Sequence, residues 1–480
     1  MSMLFNFLRS NILIALLFLL LLGVSSYFIN NLLSLSFWHD ELFQIWALGL
    51  TYSDIINLHT GEEANYPVVS IFYKFFLENV YFFSIENLVL LNFVNVVLIL
   101  LSAYLLREHL SYTGIVVFLS LLISSEFFIR MMFELRGVGF QIGFSSLFSA
   151  FFFLYLLKRR LLSLIYFLIV GLFFAALHPL CGLFVCACSF YLLLESRENL
   201  HRFLLVLLFL FPILILIYFS FSAVSENFDD DFFFVEEYFL HIRNTGAYMV
   251  PVLISFFLGT IFQVINKKFS VNQCFHYLIP LVLTFVVIYA YSLISSPIFQ
   301  ARYFSSFFPY LCLATIFIFK DELETIKPYI LFACISSVIF LYGPRAQIPF
   351  INYQGLIENT HVQECDQAPL FINHGYIFSG TENIQKNVYE QKHYRILENI
   401  YSSKVKRNLT SSFEVFQQIE YIRKDFPKCK VLGGTLHKTN LSELQMKDEV
   451  ESFTGLNLNL EKVLLKPCIE EDCGVIWTIR

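Results

Sequence analysis

Charge is scarce in this sequence. Only 15% of the 480 residues are Asp, Glu, Lys or Arg, against 57% hydrophobic, a balance that excludes an ordinary soluble globular protein. Basic clusters are missing too. The formal net charge is -6 at pH 7 and the Lys and Arg residues are spread along the chain, so no nucleic-acid surface is expected. No Cys-x-x-Cys or His-x-x-x-His spacing occurs, which removes the common structural zinc sites. No fixed-period repeat occurs, and no low-complexity tract beyond the apolar runs themselves. The first apolar segment is too long for a signal-peptide core and has no small-residue cleavage site behind it, so it is expected to stay as a span.

What is present is apolar sequence in long runs, with 58 Phe and a mean hydropathy of +0.66. A bilayer crossing needs roughly 20 apolar residues. On that basis about eleven spans are expected, at residues 11 to 33, 87 to 106, 113 to 129, 139 to 157, 161 to 178, 180 to 195, 203 to 222, 247 to 265, 275 to 294, 303 to 319 and 328 to 342. The fold class is therefore an α-helical polytopic membrane protein. Alternate short loops carry Arg9, Arg107, Lys158 to Arg160, Arg197 with Arg202, Lys267 with Lys268, and Lys320 with Lys327, which marks that set as cytoplasmic. The opposite set holds Asp40, Glu41, Glu134, Arg136, His178, the acidic run Asp229 to Asp231, and Arg302.

Composition changes after Tyr342. Residues 1–342 are expected to form the transmembrane domain and residues 343–480 a C-terminal extracytoplasmic domain of mixed α/β type, with strands at Pro369 to Ile372, Lys430 to Leu432 and Val475 to Thr478. Cys365, Cys429, Cys468 and Cys473 fall in that domain. They fit two disulfides, Cys468 with Cys473 and Cys365 with Cys429, or stay as free thiols. Asn408-Leu409-Thr410 and Asn440-Leu441-Ser442 match the N-glycosylation pattern, which carries no meaning in a bacterial chain.

Four outer segments carry candidate chemistry. Asp40 and Glu41 follow the first span within Trp38-His39-Asp40-Glu41, where aromatics suit the interface and the acids reach water; solvated loop charges are the plain alternative. The same loop continues through Asn65-Tyr66-Pro67 into a half-apolar stretch with Lys74, which reads as a surface-lying helix. In Arg130 to Gly137, a continuing helix would pair Arg130 with Glu134 and leave Arg136 to meet an anion. His178, before Pro179, is either a capped turn residue or part of a site. Arg302, beside Tyr303, either anchors the interface or holds a phosphate.

Taken in order, Trp38-His39-Asp40-Glu41, Asn65-Tyr66-Pro67, Phe133-Glu134-Leu135-Arg136, Leu177-His178-Pro179-Leu180-Cys181-Gly182 and Ala301-Arg302-Tyr303 resemble the polytopic glycosyltransferases of the GT-C superfamily. The branch most similar is the group of protein O-mannosyltransferases and lipid A aminoarabinose transferases, over roughly residues 10 to 320. Asn65-Tyr66-Pro67 departs from the His-Pro-Pro type of that group, and His178-Pro179-Leu180 from His-Tyr-Tyr. The resemblance implies transfer of a sugar from a polyprenyl-phosphate carrier to an acceptor hydroxyl on an envelope glycan, of O-antigen or lipopolysaccharide type, or on a protein. It implies a bacterial inner membrane with the C-terminal domain in the periplasm. In such a reaction Asp40 is the expected general base, with Glu41 beside it; Arg136, Arg302 and Lys74 are the expected phosphate ligands. Glu134, His178, Tyr66 and Tyr303 are expected to contact substrate. No cofactor is expected and no metal site is predicted, although Asp40, Glu41, Glu134 and His178 are the hard donors a divalent ion would take. Two other classes compete: a lipid-linked glycan polymerase or ligase, and a polytopic transporter or flippase.

Overall fold

The computed structural model describes residues 44–45, 47–57, 67–85, 87–125, 127–132, 134–195, 199–227, 249–294 and 301–342, together with five short strands between residues 370 and 479. The expected first span, Asp40, Glu41, Tyr66, the acidic run at 229–231 and the four C-terminal cysteines lie outside these residues.

Two compact units divide the chain. The first of them ends at Leu341, and each is described by itself. In the first unit each expected span from residue 87 onward overlaps a helix. Two short helices come first, α1 (Tyr52–Asn57) and α2 (Val68–Asn79). A 3-10 turn at Leu88–Asn92 leads into α3 (Phe93–Leu106), followed by α4 (Tyr112–Ile123). Next are α5 (Gly137–Lys158), α6 (Leu161–Ala175), α7 (Pro179–Glu195) and α8 (Leu200–Asn227). The unit closes with α9 (Val250–Ile265), α10 (Val271–Ile294), α11 (Phe308–Ile318) and α12 (Leu323–Tyr342).

Three helical stretches, Leu88–Leu106, Gly137–Lys158 and Val271–Tyr291, are long and apolar enough to cross a membrane. Surface composition agrees with an integral membrane protein. On α8, Leu204, Leu207, Leu208, Phe211 and Leu214 recur at helical spacing and are all exposed, an apolar face suited to lipid rather than water.

Two expected spans are shorter than hydropathy indicates. The run at 113–129 ends as α-helix at Ile123, where Ser124 and Ser125 turn their hydroxyls back onto the carbonyls of Leu121 and Leu122 and a π-helical turn at Phe127–Met131 follows. The run at 303–319 opens as a 3-10 turn, Ala301–Ser306, before α11 begins.

α5 occupies the centre. It is apolar around its circumference and packs against α3, α6, α11 and the Ala301–Ser306 turn. In lipid there is little hydrophobic drive between helices, so close packing has to hold them. Gly139 and Gly143, four apart on α5, allow that against α3: a Cβ on Gly143 would lie 2.9 Å from the Cα of Asn95. Phe148, Phe152 and Phe153 fill the other sides, with Phe153 stacked on Phe317 at 4.8 Å and Phe148 at 4.8 Å from Phe167.

Interhelical contacts gather the basic turns at one end. Lys158 pairs with Glu108 at 3.0 Å, Arg159 with Glu195 at 2.5 Å, and Arg202 lies 6.0 Å from the Tyr155 ring. Thr113 donates a short hydrogen bond to Glu324, which also pairs with Lys327.

The second unit holds a five-stranded mixed sheet. Strands β1 (Leu370–Asn373), β2 (Leu409–Ser411), β3 (Val431–Thr435), β4 (Val463–Leu464) and β5 (Val475–Ile479) are ordered β2-β1-β3-β5-β4. β1 runs parallel to both β2 and β3, and β5 is antiparallel to β3 and β4. The three strands expected from the sequence are therefore β1, β3 and β5. Any helices expected between them fall outside the described residues.

Candidate functional site

The end of the bundle opposite the basic turns is polar and tightly tied. Tyr73 on α2 is fully buried and donates from its hydroxyl to Asn92 Oδ1 at 2.6 Å. Asn92 in turn donates from Nδ2 to the Glu134 carbonyl at 2.7 Å. This chain of two bonds pins the bend that carries Glu134 and Arg136. Ring contacts of Phe72 and Tyr73 with Phe140, at 5.2 and 5.8 Å, press α2 onto the first turn of α5.

Arg136 precedes α5 in extended conformation and gives that helix no side-chain cap. Its guanidinium lies 3.7 Å from the Glu134 carboxylate, and both side chains are largely buried. The Arg130 side chain, expected to pair with Glu134, lies outside the described residues. Glu134 neighbours Arg136, so Arg136 is not left over for an anion alone.

Lys74 is buried on α2 but points the other way. It pairs with Glu78 at 2.5 Å and its ammonium lies 5.3 Å from the Tyr52 ring, while the Tyr52 hydroxyl donates to Glu78 at 2.9 Å. The Lys74 and Tyr52 hydrogen bonds hold Glu78 below the usual carboxylate range. Lys74 thus belongs to the same end of the bundle with its charge already engaged.

A second set of bonds brings the late turn to α5. Ser306, fully buried at the close of the Ala301–Ser306 turn, donates to Gln141 Oε1 at 2.7 Å and is 3.4 Å from the Cys181 thiol. The backbone segment carrying Arg302 and Tyr303 is thereby fixed near the start of α5 and of α7; those two side chains lie outside the described residues. His178 caps α7: its Nδ1 accepts from the Leu180 N–H at 3.2 Å, the turn-residue role that the sequence left open.

The structure thus collects Lys74, Glu134, Arg136, His178 and the Arg302 segment at one end of the helices. Sequence reading missed Tyr73, Asn92, Gln141 and Ser306, which hold that end together. Asn92 and Asn95, three apart inside an apolar run, were the available signal, as was Gly139-x-x-x-Gly143. Among the described residues no three His, Cys, Asp or Glu side chains cluster as metal ligands. No protein-family profile matches this chain, and no curated protein does.

Proposed function

We propose that the chain is a polytopic glycosyltransferase of GT-C type, moving a sugar from a polyprenyl-phosphate carrier to an acceptor hydroxyl of an envelope glycan or protein. The observation that carries this reading is the meeting of Glu134, Arg136, the open N-terminus of α5 and the Ala301–Ser306 turn at one end of the bundle. Such an end offers a guanidinium and the N-terminus of a helix to a phosphate. The basic turns at the other end favour the cytoplasm by charge bias, which puts this site on the outer face.

In this reading Asp40 takes the proton of the acceptor hydroxyl as its oxygen attacks the anomeric carbon. The bond from that carbon to the phosphate oxygen breaks, polyprenyl phosphate leaves as an anion, and the anomeric configuration inverts. Arg136 and Arg302 stabilise the charge that grows on the phosphate. Glu134 keeps the Arg136 guanidinium oriented, while Lys74 is paired with Glu78.

Movement of a lipid-linked carrier without chemistry is the second reading. It is favoured by Asn95, buried in the bundle with neither amide atom hydrogen-bonded, and by the unpartnered hydroxyls of Ser145 and Ser149 on α5. Membranes supplied with defined polyprenyl-phosphate sugars separate the two. Acceptor-dependent release of polyprenyl phosphate supports transfer; donor that crosses the membrane intact supports transport.

Two outcomes are expected from variants. Cysteines placed beside Asp40 and at Ser379 label with an impermeant reagent from outside, and one beside Lys158 does not; the reverse pattern inverts the orientation. Arg302→Ala weakens donor use by roughly ten- to a hundredfold, on the scale of a charge-assisted contact, while Arg302→Lys loses less because charge persists without the planar fork. Parallel kinetics on Arg136→Ala show which arginine bears the phosphate. Unchanged donor binding and rate in Arg302→Ala would make that residue an interfacial anchor.

A further inference from the structure

At the basic end of the bundle, away from the site just described, the helices enclose a cavity of about 300 Å³. Its floor is the C-terminus of α11. Gln263 of α9 donates to the Ile318 carbonyl at 3.0 Å and to the Glu322 carboxylate at 3.2 Å, and Gln273 of α10 donates to the Ile318 carbonyl at 3.3 Å. The end of a helix carries partial negative charge, and Glu322, 5% exposed, adds a full one. Among the described residues no cation lies within ion-pair distance of that carboxylate. Glu322 stands just before α12, whose N-terminal end partly offsets its charge, but its side chain is held by one neutral amide and no cation.

The rim is of opposite sign. Lys268 and Lys320 line it with exposed side chains, and neither forms an ion pair among the described residues. His109 adds no third cation. Its burial, and next the charge of Lys158, push its pKa down, so it is neutral at pH 7 and its Nε2 is buried without a partner. With Asp321 also at the rim, two lysines face two carboxylates and the formal charge of the cavity is zero. A bare anion would meet Glu322 and the α11 carbonyls. A ligand with a cationic amine a few bonds from a phosphate meets both signs correctly.

Surroundings select the source of that ligand. The cavity lies at the turns that end apolar helices, the depth at which lipid headgroups sit. Ile265, Phe269 and Val271, flanking Lys268, are exposed apolar residues against which acyl chains can lie. We propose that this cavity binds the headgroup of an aminophospholipid of phosphatidylethanolamine type, its ammonium on Glu322 and its phosphate between Lys268 and Lys320. Pockets of this kind between helices at the charged boundary of a membrane suit headgroups. The proposal does not rest on glycosyl transfer.

The test uses the full chain, purified in detergent, stripped of lipid and offered equal amounts of phosphatidylethanolamine, phosphatidylglycerol and phosphatidylcholine, with retained lipid counted by native mass spectrometry. Phosphatidylethanolamine is expected to be retained about tenfold over the other two, the scale of one charge-assisted hydrogen bond. Glu322→Gln should erase the preference over phosphatidylglycerol. Because Glu322 is buried and its variant can misfold, the exposed pair Lys268→Ala with Lys320→Ala serves as the second arm and should lower retention of phosphatidylethanolamine about tenfold. Equal or greater retention of phosphatidylglycerol by the unaltered protein would overturn the proposal, as would a preference that survives Glu322→Gln. Glycerophosphoethanolamine binding as tightly as the lipid would overturn the assignment to a membrane lipid in favour of a soluble zwitterion.

Discussion

Asp40→Asn is expected to lower sugar transfer by about 10²- to 10⁴-fold, the range that a positioned general base contributes, with expression and donor binding intact. The amide keeps the size of the carboxylate and its hydrogen-bonding reach but cannot accept the acceptor's proton. The loss should therefore fall on the rate of the chemical step rather than on affinity for the polyprenyl-phosphate donor. Raising the pH is an informative companion measurement. If proton removal limits the variant, hydroxide replaces part of the missing base and the defect shrinks at alkaline pH. Turnover near that of the unaltered protein at neutral pH would remove Asp40 from the role and shift attention to Glu41 and Glu134.

Gly143→Val is expected to damage the packing of α3 on α5 severely. Already as alanine, the new Cβ would stand 2.8 Å from Asn95 Oδ1 and 2.9 Å from Asn95 Cα. The second of these clashes is with backbone, so a side-chain rotation cannot relieve it and α3 must move away from α5. Overpacking of this kind costs about 1–3 kcal/mol and more where the backbone must shift. Valine adds two methyl groups to the same gap. Thermal unfolding of the detergent-solubilised protein should show a large drop for Gly143→Val and a smaller one for Gly171→Ala, whose nearest neighbours at 3.1 to 3.3 Å are ends of Phe and Val side chains. Relative to Gly143→Ala alone, adding Asn95→Ala should recover part of the loss, because it relieves the clash with the amide while the one with the α3 backbone persists. A melting temperature unchanged in Gly143→Val would mean that α3 and α5 do not approach this closely.

The helices were legible because hydrophobic runs of bilayer length leave few alternatives, and each run from residue 87 onward contains a helix. Their ends were less legible, and the reason is local. Hydropathy counts Ser124 and Ser125 as small interruptions, whereas their hydroxyls compete for the carbonyls of α4 and end it. Past that ending Glu134 sits beside Arg136, two positions on, a neighbour that helical spacing did not indicate. The sequence order of motifs indicated which segments belong together at one end. It offered no access to the links that hold them, because Tyr73, Asn92, Gln141 and Ser306 lie 19 to 165 positions from their partners. A hydrogen bond across such a separation has no periodic signature. For His178 the sequence left a turn cap and a substrate contact both open, and its Nδ1 accepts from the Leu180 N–H.

If the chain transfers sugar from a lipid carrier as proposed, the brevity of two neighbouring helices bears on how that carrier meets the protein. α4 and α11 lie side by side and antiparallel: Gly114 near the start of one approaches Ile316 near the end of the other, and Phe127 just past α4 lies 5.5 Å from Phe308 at the start of α11. At 12 and 11 residues they span about 18 and 17 Å of regular helix, against a hydrocarbon layer of about 30 Å. Such a mismatch is met by thinning of the bilayer or by polar backbone sinking below the headgroups. The turns at 124–131 and 301–306, which end these two helices on the side of Arg136, are where that adjustment falls. A phosphate tethered to a polyprenyl chain can then reach the protein at the depth it already occupies, with its tail still in hydrocarbon, instead of being lifted out of its leaflet.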